Sequence, residues 1–249
     1  MKDLRMGTFI VVVTLLLAAS LLSVGSKPLF AAGPRYGGTL RICDQAEGTG
    51  IGFPPKYREV NYSTRQVAPA IERLLRHDKN NMLVPWLAEG FKEDAAAKVL
   101  TFTLRKGIKF HDGTDFNAEA VKWNLDQHRL ARGQGAEKFK SIDVIDDYTV
   151  RINLAEWDNT VTDNLCHNTG LIISPAAYRL NGEEWCQNHP VGTGPFQFVD
   201  WKKGVRIAYE KFNGYWQKGK PYLDRVEWSA VEDGLVRQLS LRTKEVDMI

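Results

Sequence analysis

The chain has 249 residues, 43% of them hydrophobic and 25% charged, the composition of a globular protein that can bury a sizeable core. Its formal net charge is only +3, and no block of lysines and arginines marks a nucleic-acid groove. DNA and RNA are therefore excluded as partners, and no internal repeat or low-complexity tract argues for a solenoid or a linker.

The chain opens with Lys2 and Arg5 ahead of an almost wholly apolar run, Met6 to Val24, and this is the profile of a secretory signal peptide. Ala31 and Ala32 offer small residues for cleavage, so residues 1–32 are read as the leader and 33–249 as the mature domain. A cut after Ser26 competes. So does an uncleaved anchor, because Thr8 to Val24 falls a little short of the about 20 residues that span a bilayer. Export to the periplasm or the cell exterior is the common expectation. Loss of Lys2, Arg5, Lys27 and Asp3 with the leader leaves a net charge near +1 from the original +3.

Gly48 to Glu59, rich in glycine and proline, reads as an extended loop. Arg65 to Arg76 places Val67, Ile71, Leu74 and Leu75 at helical spacing. Leu100 to Leu104 alternates apolar and polar residues as a half-buried strand does, Arg105-Lys106-Gly107 is a turn candidate, and Ile108-Lys109-Phe110 alternates again. A helix starts after Asn117, which can cap it, with Glu119 in the first turn and Val121, Leu125 and His128 on one face. Two hairpins follow: Ile142–Ile145 with Tyr148–Leu154, and Phe196–Val199 with Val205–Tyr209. A last helix begins near Asp233 and is expected to bury Leu235, Val236 and Leu239. Glu245 to Ile249 reads as the opening of a strand, so a truncated chain is expected. Helices interspersed with antiparallel hairpins make the fold class α+β, with a mixed, largely antiparallel sheet.

Chemistry is sparse. His111-Asp112-Gly113-Thr114 could suggest an acid–base pair, but glycine and threonine before a capped helix are what a turn needs. Gly48-Thr49-Gly50-Ile51-Gly52 lacks the third glycine of a dinucleotide fingerprint, and Pro54-Pro55 blocks the helix that should follow. It is read as a flexible loop at a cleft edge or a plain surface loop. Of three cysteines, Cys166 and Cys186 form the better pair, a bridge worth about 3 kcal/mol in the chain-entropy account. Unpaired thiols, or a metal held with His167 and His189, are the competing readings. No Gly-x-Ser-x-Gly and no His-Glu-x-x-His is present. No catalytic residue, metal ligand or cofactor is assigned.

The run Leu104-Arg105-Lys106-Gly107-Ile108-Lys109-Phe110-His111-Asp112-Gly113-Thr114, with Phe116 to Val121 opening the next helix, resembles the large solute-binding proteins that deliver oligopeptides, dipeptides, nickel and some sugars to ABC importers. Tyr36 to Ile42, Leu83 to Glu89, His189 to Phe196, Asn213 to Trp216, Gly219 to Asp224 and Glu245 to Asp247 follow in the order of that family. The resemblance implies a periplasmic-binding-protein-like lobe (type II, cluster C), with a second lobe missing beyond Ile249. It also implies a solute, peptide foremost, clamped between lobes, and membrane permease subunits as partners of a monomer. In the family arrangement the loop after the first strand and the next helix face the cleft, which makes Asp44, Glu47 and Tyr62 the expected solute contacts. An exported hydrolase and a membrane-anchored sensing domain are the alternatives.

Overall fold

A computed structural model describes residues 33–57 and 60–249; the expected leader lies outside the described residues. The strands are β1 (Thr39–Asp44), β2 (Leu75–His77), β3 (Leu83–Pro85), β4 (Ala88–Asp94), β5 (Val99–Leu104), β6 (Phe139–Asp146), β7 (Thr149–Leu154), β8 (Phe196–Lys202), β9 (Arg206–Lys211) and β10 (Arg225–Ala230). The helices are α1 (Val60–Val67), α2 (Ala118–Leu130), α3 (Thr160–Asn164), α4 (Pro175–Asn188) and α5 (Gly234–Arg242). They build one sheet in the order β1-β10-β9-β8, another in the order β4-β5-β7-β6, and a two-stranded ribbon β2-β3. Every pairing is antiparallel except that of β1 with β10. The α+β expectation holds.

Period-two patterning explains the second sheet. Leu100, Phe102 and Leu104 of β5 and Val150, Ile152 and Leu154 of β7 are buried, and the register sets Leu100 beside Ile152 and Phe102 beside Val150. Each such side chain contributes about 1.5–3 kcal/mol when withdrawn from water. The α2 helix covers this face with Val121, Leu125 and His128, and it starts where expected, Asn117 Oδ1 accepting from Ala120 N at 3.0 Å. Both predicted hairpins form, with Ile142 opposite Ile152 and Phe198 opposite Tyr209.

The structure corrects several expectations. The helix predicted over Arg65–Arg76 ends at Val67, because Pro69 removes an amide donor and clashes with the preceding turn. Val67, Ile71, Leu74 and Leu75 are nonetheless all buried. Ile108-Lys109-Phe110 is not a strand; only a bridge from Lys109 to Asp115 forms there. The α5 helix is capped by Asp233 as expected, at 2.7 Å to Leu235 N, but its apolar face is open: Leu235 is 77%, Val236 47% and Leu239 58% exposed. At Glu245–Ile249 the expected strand is reduced to a single parallel bridge between Met248 and Ile42.

The Cys166–Cys186 bridge is not formed. All three cysteines are free and buried, and the two expected partners sit in different cores. Cys166 lies with Val161 and Leu165 under the second sheet, whereas Cys186 faces Ile51 and Phe53 beside the first. No helix among the described residues is long and apolar enough to cross a membrane.

Candidate functional site

Parallel β1 and β10 run in register to Asp44 and Ala230, so their carboxyl ends lie side by side. Loops leaving such ends are where open sheets that contain parallel strands present ligand sites. The loop after β1 is fastened to α1 by one side chain: Gln66 Nε2 donates to Ala46 O at 2.9 Å, and Gln66 Oε1 accepts from Gly48 N at 2.9 Å. Gly48 is required there, since a Cβ would stand 2.5 Å from Ser63 Oγ. Further on, Ile51 N and Gly52 N both donate to Gln187 O, at 2.9 and 3.0 Å, and Ile51 and Phe53 are buried. The glycine-rich stretch is thus packed into a core, correcting the reading of it as a flexible or surface loop.

Two of the three expected residues, Asp44 and Tyr62, are linked through Arg65. Asp44 Oδ2 pairs with Arg65 Nη2 at 3.0 Å, and the same guanidinium lies 5.2 Å over the ring of Tyr62. The Asp44 side chain is mostly covered, while that of Arg65 is 55% exposed. Asp44 therefore has its charge answered from within the protein, and the group turned to solvent is a guanidinium, a fork of donors suited to a carboxylate. Arg65 was not among the predicted contacts. Its place one turn beyond Tyr62 on the same helix was the available signal.

Glu47 is placed differently. Its Oε1 accepts from Trp201 Nε1 at 2.6 Å and its Oε2 from Gly204 N at 3.0 Å, so both oxygens are engaged in holding the β8–β9 turn. Trp201 and Lys203 in turn line a groove of about 720 Å³, together with His111, Trp185, His189 and Phe198. The rings of Trp185 and His189 stack there at 4.2 Å, with 4° between their planes.

His111 and Asp112 do not form an acid–base pair. His111 Nε2 donates to Gly194 O at 2.9 Å, and its Nδ1 accepts from Gly192 N at 3.4 Å. Burial pushes its pKa down to about 4, which keeps the ring neutral in that tautomer. Asp112 accepts from Ser174 Oγ at 2.5 Å and from Thr114 Oγ at 2.6 Å, and Gly113 takes a φ of +83°. The segment is the turn the sequence implied.

Residues 82–249 match the profile of the bacterial extracellular solute-binding proteins, family 5. The glutathione-binding protein GsiB of Pectobacterium atrosepticum is 39% identical over 177 residues, covering 69% of this chain and 34% of that protein. The oligopeptide-binding protein AppA of Bacillus subtilis, solved with a nonapeptide, superposes with a TM-score of 0.76 at 26% identity over 86% of this chain and 44% of its own. AgaA of A. tumefaciens, solved with agropinic acid, gives 0.72 at 31% identity over 84% and 43%. This chain therefore spans about a third of the GsiB relative and under half of the solved structures. Its fold is that of a periplasmic-binding-protein lobe, and the chain belongs to the family 5 bacterial extracellular solute-binding proteins.

Proposed function

We propose that this chain forms one wall of a cleft for a small solute bearing a carboxylate, a peptide foremost, and that it binds without chemistry as the receptor of an ABC importer. The observation that carries the reading is the Asp44–Arg65–Tyr62 group at the carboxyl end of the parallel pair. It offers a solvent-facing guanidinium with its counter-charge and an aromatic face already in position. Relatives named for glutathione and a nonapeptide support a peptidic solute. In this reading the protein is exported and monomeric, a second lobe supplies the opposite wall, and closure of the two lobes is what the membrane permease recognises.

The test is a titration of the isotope-labelled chain with glutathione and with a dipeptide, followed by amide chemical shifts. Shifts centred on Asp44, Tyr62 and Arg65, lost in Arg65→Ala, with a Kd of about 1 mM or weaker, are expected of a single wall. Shifts centred on the Trp185–His189 groove, or micromolar binding by this chain alone, overturn the reading.

A further inference from the structure

We propose that His77, Asp163 and His167 form a binding site for a divalent transition-metal ion, Zn²⁺ or Ni²⁺, away from the solute wall. His77 ends β2, Asp163 lies in α3, and His167 leads into the next short helical turn at Asn168–Gly170. His77 Nε2 stands 2.9 Å from Asp163 Oδ1, and His167 Nε2 stands 3.5 Å from Asp163 Oδ2. One ligand atom from each residue can be chosen so that all three lie within 4.8 Å of one another.

A tetrahedral ion with bonds of about 2.0–2.2 Å needs its donors roughly 3.3 Å apart. Each imidazole is near that distance from one carboxylate oxygen, His77 from Oδ1 and His167 from Oδ2, and one atom from each of the three residues lies within 4.8 Å of the others. The remaining histidine–histidine edge closes by a side-chain rotation of His167, which is 59% exposed. The ring centroids of the two histidines are 5.8 Å apart, so both imidazoles already address the same carboxylate.

Two imidazoles and one carboxylate are a donor set that favours Zn²⁺, Ni²⁺ or Cu²⁺ over Ca²⁺ or Mg²⁺, which take oxygen ligands. Asp163 is 53% exposed, which leaves water to complete the coordination. Cys166, next in the chain to His167, is buried in the core and stands outside the set. An ion here ties the β2–β3 ribbon to the α3 turn. The site borders the core under the second sheet, where Leu75, Leu165 and Cys166 are packed, whereas the Asp44 group lies at the end of the first sheet.

Calorimetric titration with ZnCl₂ and NiCl₂ in a non-chelating buffer tests the site. One ion per chain with a Kd on the order of micromolar is expected, and His77→Ala and His167→Ala should each weaken binding at least tenfold, by about 1.4 kcal/mol or more. Co²⁺ loading should give the visible absorption of a tetrahedral ion, lost in Asp163→Asn. Circular dichroism of each variant distinguishes a lost ligand from a lost fold. Uptake that is equal in all three variants and wild type, or absent with millimolar metal, overturns the proposal.

Discussion

Asn124 and Ile173 join as two strands would: Asn124 Nδ2 donates to Ile173 O at 2.8 Å, and Ile173 N donates to Asn124 Oδ1 at 3.0 Å. A third bond runs from the same amide to Ala120 O at 2.9 Å. One side chain in α2 thereby satisfies both backbone groups of Ile173, just beyond the antiparallel bridge that Leu171 makes with Arg73. Asn124→Leu keeps the branched shape, at a larger volume, but orphans the buried Ile173 N–H and C=O, at about 1–3 kcal/mol each. Urea unfolding should show a loss of about 2–6 kcal/mol; a loss below about 1 kcal/mol would mean water replaces the amide.

Glu72 concentrates a second set of long-range bonds. It is buried and accepts from Trp86 Nε1 at 2.8 Å, Tyr215 Oη at 2.8 Å, Thr193 Oγ at 2.9 Å and Trp216 Nε1 at 2.9 Å. Burial pushes its pKa up, and these four bonds to the carboxylate oppose that shift. Glu72→Gln turns an NH₂ toward two of the donors. The expected cost is about 2–4 kcal/mol in urea unfolding, with the indole fluorescence of Trp86 and Trp216 altered in the native baseline. Unchanged stability would show that the four donors do not depend on the charge.

Such bonds mark the limit of what the chain discloses in one dimension. The faces of β5 and β7 were legible because alternation fixes which side chains are buried, and Asn117 and Asp233 were legible because a cap acts within three residues. The parallel partnership of β1 with β10 was not, since alternation says nothing about which strand lies alongside. Pro69 outweighed a good helical period, yet the residues assigned to that face were buried all the same. Asp44 and Tyr62 were expected to face a solute through family order, and both lie against Arg65. Arg65, which joins them, was passed over because an arginine on a helix reads as a solvated charge until its partner is seen. The four donors of Glu72 and the approach of His77 to His167 depend on tertiary closure alone.

The buried histidines predict a pH dependence. His128 is 1% exposed, both ring nitrogens lack a partner, and burial pushes its pKa down to about 3. A folded pKa below the unfolded value of about 6.5 means that the unfolded chain binds the proton first. The stabilisation is therefore complete above pH about 6.5 and is lost as pH falls toward about 3. At pH 5 the deficit attributable to His128 reaches about 2 kcal/mol. His128→Leu, close in volume and without a proton to bind, should flatten the urea-midpoint profile between pH 7 and 5. A variant profile parallel to wild type would show that His128 is protonated in the fold.

The free thiols predict slow chemistry. Burial pushes Cys166 up to about 12 and Cys186 up to about 11, so neither supplies thiolate at neutral pH. A disulfide-exchange dye should label neither within minutes in the native protein, and both in denaturant without any reductant. Appearance of these two thiols only after reduction would show that they are bridged and that the two cores differ from those described.

The open face of α5 gives the last prediction. No residue of this helix is buried, yet Leu235, Val236 and Leu239 share one side at the spacing that normally faces a core. If that side contributes no packing within this chain, charging it should leave stability unchanged. Leu235→Lys with Leu239→Lys should keep the urea midpoint within the equivalent of about 0.5 kcal/mol, while binding of an apolar dye falls because the exposed patch is broken. A loss of 2 kcal/mol or more would place the face inside the folded core after all. Retained stability with reduced dye binding would show that this side of the helix is an exposed apolar surface of the described residues.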